Sequence, residues 1–199
     1  MDKEEIQKNK ELIKKYPWLM PRNRFSDEVD EDYDYSYTEL DAMPDGWRKA
    51  FGEQMCEEIQ RELEKFDFVD KFRVVQIKEK FGSLRFYTGG TPIGKLSEVD
   101  EVVVVKDWKD QPRGDFKENY WHYKGTNEDG EFVFEHQKIL EKCRLNEIIS
   151  KYEGISERIC IKCGKPATRI SLGWISPWCD DCGDNSFVNF VPIDEFFKE

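Results

Sequence analysis

KFRVVQIKEKFGSLRFYTGG, residues 71–90, holds two β-type runs around Gly82: Phe72, Val74, Val75 and Ile77 in the first, Leu84, Phe86 and Tyr87 in the second. Branched and aromatic residues in runs this short, parted by Lys80-Phe81-Gly82-Ser83, predict a β-hairpin closed at that turn. Upstream, MPDGW at 43–47 opens a different period. Apolar residues recur at Trp47, Phe51, Met55, Ile59, Leu63 and Phe66, in steps of four and three that draw one stripe along about five helical turns, with Asp45 placed to cap the start. Downstream, EVVVVKDW at 101–108 reads as a third strand, and NYWHYKGTNEDGEFVFEH at 119–136 as a second hairpin turning at Asp129 and Gly130. The fold class that accommodates a long amphipathic helix beside hairpins is α+β, with a mostly antiparallel sheet packed with helices.

Other segments are less regular. Residues 3–15 suit a short charged helix that stops at the approach to Pro17, and YPWLMPRNRF at 16–25 is too proline-rich to continue it. Trp18, Leu19 and Met20 are expected to anchor an extended segment on the domain. A second helix is expected over 136–152, but its apolar residues face two ways: Ile139, Leu140 and Cys143 on one side, Leu145, Ile148, Ile149 and Tyr152 nearly opposite. Such a helix lies between two layers or changes partner midway.

The chain has 199 residues, 38% of them hydrophobic and 28 of them aromatic, which suffices for one main domain and a small appended module. No apolar run approaches the roughly 20 residues that cross a bilayer, and the amino terminus lacks the apolar segment of a secretory signal, so a cytoplasmic protein without a membrane partner is expected. The net charge is −11, and residues 26–45 hold nine acidic residues and no basic one. A general basic surface for nucleic acid is therefore not apparent. Residues 30–41 interleave these carboxylates with Tyr33, Tyr35 and Tyr37, and are expected to form an ordered loop with its tyrosines packed down; mimicry of a nucleic-acid backbone is the functional alternative.

The sharpest signal is CIKCGKPATRISLGWISPWCDDCG, residues 160–183. Two residues between thiolates let a tight turn present both sulfurs to one ion, and Gly164 and Gly183 follow where such a turn closes. ATRIS and WISPW flank Leu172-Gly173 as a small hairpin, with SFVNFV at 186–191 available as a third strand. This is a zinc ribbon layout, with Cys160, Cys163, Cys179 and Cys182 as ligands. Zinc is expected ahead of another thiolate-bound metal such as iron, or of disulfides. A four-sulfur site has no open position for water, so its role is structural. Cys56 and Cys143 are left as buried thiols. The domains expected are an α+β domain at 1–157 and a zinc ribbon-like module at 158–199.

The chain resembles a family of small bacteriophage and prophage proteins. The resemblance is carried by YPWLMPRNRF, YDYSYTELDAMPDGWRKAFGEQMCEEI (33–59), QIKEKFGSLRFY (76–87) and the ending ISERICIKCGKPAT with GWISPWCDDC (155–182). It covers well over half the chain, and residues 91–135 fall outside it as a candidate insertion. It implies a phage setting in a bacterial host cell and a zinc site, and transfers no catalytic residues.

Outside the cysteines, Lys78, Lys80 and Arg85 cluster about the hairpin turn beside Phe81, where they could contact an anion or a partner. The plainer reading is a solvated face paired with acids such as Glu79. No HExxH, nucleophile elbow or P-loop is present, and His122 and His136 are the only histidines. The functions expected are, first, a zinc-stabilised binding protein whose partner is another protein. Second comes a nucleic-acid accessory factor using Lys162, Lys165 and Arg169 beside Trp174. Third is a small enzyme acting on a phosphorylated substrate at the hairpin, which would need Lys78 or Arg85 in a concave pocket. The sequence names neither the partner nor the oligomeric state.

Overall fold

The computed structural model describes residues 3–23, 26, 28–29, 31–115, 117–184, 186 and 188–198. Arg24, Phe25, Asp30 and Phe187, which belong to stretches read above, lie outside the described residues. Two compact units are formed: Met1–Thr91 together with Leu145–Glu199, and Pro92–Arg144.

In the first unit, α1 spans Lys3–Lys15 and a 3-10 turn at Pro17–Leu19 follows, because Pro17 cannot extend the α-helix. Trp18 and Leu19 are buried there as anchors, and the Trp18 indole donates to Gln60 at 2.8 Å. The helical stretch of the stripe runs as α2 Asp45–Trp47, a π turn Arg48–Gly52 and α3 Glu53–Lys65. Steps of four residues overshoot a 3.6-residue turn by about 40° each. The wide turn takes up part of the excess, and Trp47, Phe51, Met55, Ile59 and Leu63 are all buried. Asp45 is the first helical residue and makes no side-chain cap; Pro44 occupies the capping position instead.

β1 (Val74–Lys80) and β2 (Ser83–Thr88) form the expected hairpin, with Lys78 opposite Arg85 and Lys80 opposite Ser83. Ile77, Leu84 and Phe86 turn inward against the helices. α4 is Leu145–Ser156, and the outer edge of β2 is bonded by its side chains: the Leu84 N–H donates to Ser156 Oγ at 2.8 Å and the Phe86 N–H to Glu153 Oε1 at 3.1 Å. This satisfies a strand edge that would otherwise be open. The helix carries Leu145, Ile149, Tyr152 and Ser156 inward at a clean helical spacing. The expected helix over 136–152 is thus corrected to 145–156. Its two-faced pattern arose because residues 136–142 are a strand.

Among the described residues every strand pairing is antiparallel, and the strands form three separate sheets. In the second unit β3 (Gly94–Leu96) and β4 (Glu101–Val105) pair in succession with β6 (Phe132–Lys142), and β5 (Asn119–Thr126) also pairs with β6, the two joined by a turn at Asn127–Gly130. Pairing along β6 overrides the helix preference of HQKILEK. Trp108 packs edge-on to Tyr123 and Phe132, giving this unit its own aromatic cluster.

The cysteine segment belongs to the first unit. β7 (Arg169–Ser171) is central, flanked by β8 (Pro177–Trp178) and β9 (Phe190–Pro192), with the helical turns α5 (Asp180–Gly183) and α6 (Ile193–Phe196) beside them. The compact units therefore divide at 91/92 and 144/145, and no division falls at the 157/158 boundary expected from sequence. The reason is backbone contact: the Trp47 indole donates to the Ile159 carbonyl at 2.8 Å and the Gly46 N–H to the Ile161 carbonyl at 3.0 Å. No helix of the described residues is long and apolar enough to cross a membrane.

Candidate metal centre and the adjoining hairpin

Cys160 and Cys163 sit on the turn before β7, and Cys179 and Cys182 frame the start of α5. Their sulfurs all lie within 4.8 Å of one another, and Cys163 Sγ is 3.5 Å from Cys179 Sγ. Four thiolates around one ion at about 2.3 Å stand about 3.8 Å apart in a tetrahedron. The observed spread fits that set, so the cluster can hold a metal ion. Cys160 and Cys179 are buried and Cys163 and Cys182 half-buried. With all four positions taken by sulfur, such a site has no vacancy for a substrate.

The first turn is built for sulfur charge. The Cys160 N–H donates to the Lys165 carbonyl at 2.8 Å and the Gly164 N–H to the Cys160 carbonyl at 3.0 Å, with Gly164 at φ 83°. The Lys165 backbone N–H and the neighbouring sulfurs hold the Cys163 thiol down to about 7. Burial and those same neighbours push Cys182 up to about 12, and burial raises Cys179. Cys163 is thus the easiest of these three thiols to ionise, and binding a cation through thiolates releases whatever protons the sulfurs carry.

Two glycines let the turn dock on the helix start. A Cβ on Gly46 would lie 2.2 Å from the Cys160 carbonyl oxygen, and one on Gly164 2.6 Å from the Gly46 oxygen. Gly183 has a different reason from the one expected. It is helical, not left-handed, and the Arg169 side chain lies across it, 3.1 Å from where a Cβ would stand.

The hairpin residues come together in part. Lys78 and Arg85 are cross-strand partners, and Lys80 shares their face two residues along. Tyr87 lies on the same face, with Lys78 Nζ 5.2 Å from its ring centre. Among the described residues none of the three cations pairs with a carboxylate; Lys78 bonds Gln76 at 2.6 Å and Lys80 lies over the Phe81 ring. Glu79, the acid expected to pair with them, faces the other way. It accepts from the Gly82 N–H at 2.7 Å and from the Trp174 indole at 3.1 Å. That contact joins the β1–β2 turn to the turn between β7 and β8, and nothing in the sequence marks it. Phe81 holds φ 54° and Gly82 φ 79°, the pattern of a two-residue type I′ turn. Phe81 and Trp174 are the most exposed large hydrophobic residues described, at 70% and 76%.

The ribbon cations behave differently. Lys165 pairs with Asp181 at 2.7 Å, and Arg169 with Asp180 at 2.6 Å and Asp184 at 2.8 Å, so only Lys162 of that trio is exposed without a partner among the described residues. Three clefts, of 660, 310 and 610 Å³, include none of Lys78, Lys80 and Arg85, and the pocket that an enzyme at the hairpin needs is not among them. His136 places one ring nitrogen 2.5 Å from Asp100 and the other 3.2 Å from Asn119, so both are used inside the second unit. Among the described residues of the acidic stretch, Tyr33 lies tilted to Tyr35 with ring centres 5.0 Å apart and donates to the Tyr37 carbonyl, and buried Asn9 donates to the Tyr35 carbonyl at 3.0 Å, but the Tyr37 ring is exposed and Glu39–Ala42 form a 3-10 turn. Cys56 and Cys143 are both buried.

Comparison of the chain with protein-family models, curated proteins and solved structures finds no match.

Proposed function

We propose that the protein is a zinc-stabilised binding protein of a phage or prophage, acting in the bacterial cytoplasm through contacts with another macromolecule. The observation that carries the binding role is the pair Phe81 and Trp174, 70% and 76% exposed, presented from two hairpin tips that Glu79 ties together. Rings held out in water add little to the fold, and aromatic residues of this kind supply contact area at interfaces. Zinc is the ion that four cysteines on ribbon turns suit, through its tetrahedral preference and affinity for thiolate. The phage setting is supported by the motif resemblance alone. A closed sulfur set, and three clefts that include none of Lys78, Lys80 and Arg85, favour binding over catalysis.

The test offers immobilised full-length protein to a bacterial lysate, beside a Phe81→Asn, Trp174→Ala double variant matched in zinc content. Saturable retention of a macromolecule by the native protein and its loss from the variant is expected. Equal retention by both, or none by either, refutes the binding role, and metal-free reduced protein refutes the zinc.

A further inference from the structure

We infer that the outer face of the β1–β2 hairpin and its tip bind a single-stranded nucleic acid, with bases stacked on Tyr87, Phe81 and Trp174 and phosphates held by Lys78, Lys80 and Arg85. This rests on the binding role proposed above and names its partner class.

Three observations support it together. First, Lys78, Lys80 and Arg85 share one sheet face and have no carboxylate partner among the described residues, in a chain of net charge −11. The acid nearest in sequence, Glu79, is turned away and occupied by Gly82 and Trp174. Lys165 and Arg169 of the ribbon, by contrast, are paired with Asp181 and with Asp180 and Asp184. The carboxylates of the rest of the molecule are screened beyond about 8 Å at physiological salt, so the local excess of cations decides what docks here.

Second, two aromatic rings stand among those cations and a third stands at the tip beside Glu79. Tyr87 is 44% exposed beside Lys78, Phe81 70% exposed under Lys80, and Trp174 76% exposed across the tip, oriented by its bond to Glu79. From Tyr87 to the tip is about five residues of strand, or about 17 Å, enough for a few extended nucleotides. Stacking needs flat, accessible rings and separated cations, which is what this face offers. None of the described clefts includes Lys78, Lys80 or Arg85, so the cations lie on an open surface that an extended strand can follow. A duplex hides its base faces, which leaves a single strand as the occupant.

Third, Phe81 occupies a left-handed conformation, φ 54°, where Asn or Gly is the ordinary residue of such a turn. Its ring is largely in water, so packing does not repay that conformation, whereas a stacked base would.

The experiment is fluorescence anisotropy with a labelled poly-dT strand of about 12 nucleotides and zinc-loaded full-length protein. Saturable binding is expected, weakening about 20-fold between about 50 and 200 mM salt if three phosphates are contacted. Phe81→Asn and Trp174→Ala each weaken it about ten-fold. Lys78→Gln with Arg85→Gln lowers the salt slope by about 1.4. Circular dichroism and zinc content confirm that each variant is folded. Absence of saturable binding, insensitivity to these variants, or equal affinity for poly-glutamate overturns the inference. If poly-dT fails while lysate capture still depends on Phe81 and Trp174, the binding role stands with a protein partner and this inference falls. If capture fails too, both fall.

Discussion

Replacing Phe81 by Asn should leave the protein about as stable as before although it deletes a large apolar side chain. Phe81 sits at φ 54° in the first central position of a two-residue turn. A left-handed conformation costs an L-residue other than Gly, Asn or Asp about 1–2 kcal/mol, and Asn followed by Gly82 is the preferred pair for this turn. Against that relief stands the lost burial. With the ring 70% exposed, under a third of the usual burial value is at stake, about 0.5–0.9 kcal/mol, and the exposed contact with Lys80 adds about 0.5–1 kcal/mol. The two sides nearly cancel, so Phe81→Asn should change stability by no more than about 1 kcal/mol, about 2–4 °C in Tm for a chain of this size. Phe81→Ala is the sharper comparison, because it deletes the same ring and keeps the strain. Asn at this position should therefore exceed Ala by about 1–2 kcal/mol. Urea unfolding followed by circular dichroism at fixed zinc concentration measures the difference. An Ala variant as stable as the Asn variant would refute the strain argument, and with it the reading of Phe81 as a residue kept for contact.

Three other substitutions test the rest of the molecule. Gly46→Ala places a Cβ 2.2 Å from the Cys160 carbonyl, so it should cost about 1–3 kcal/mol and speed zinc loss to a chelator. Gly52→Ala, whose nearest neighbour is 3.5 Å away, should change stability little, and equal losses at both glycines would contradict the docking of the sulfur turn on the helix. Reduced protein should hold about one zinc per chain, and Cys179→Ser should lower both metal content and Tm, since a structural site contributes its binding energy to folding. Glu58 is bonded by Lys151 at 2.6 Å and by the Tyr152 hydroxyl at 2.8 Å, which together hold its carboxyl below the ordinary range. A depressed folded pKa contributes stability that is complete above the unfolded value, about 4.3, and is lost as pH falls through the folded one. Glu58→Gln should therefore flatten the stability profile between about pH 5 and 3, and an unchanged profile would show that the pair contributes nothing.

Local pattern reached a good part of this fold. The helix at 3–15, the stripe from Trp47 to Leu63, the turn at Phe81-Gly82 and the ribbon strands flanking Leu172-Gly173 each carry their own period or turn chemistry, and each stands in the structure as read. The failures occurred where two remote segments compete for one stretch. Residues 136–142 have helix-forming composition, yet β3, β4 and β5 pair along β6 and hold residues 132–142 extended. Asp45 looked like a cap, but Pro44 precedes it and takes that position.

The sequence by itself marked the four sulfurs that meet, because each Cys-x-x-Cys turn presents its own pair and the short hairpin between them folds the two pairs together. It also determined the α+β class, since the periods of its helix and hairpins are local properties. Only the tertiary structure decided that the ribbon is continuous with the main fold, through Gly46 and Trp47 against the backbone of 159–161. Only it decided that Glu79 would turn from its neighbouring lysines to hold Trp174, 95 residues away. Both depend on close approach between segments far apart in the chain, which spacing and composition do not encode.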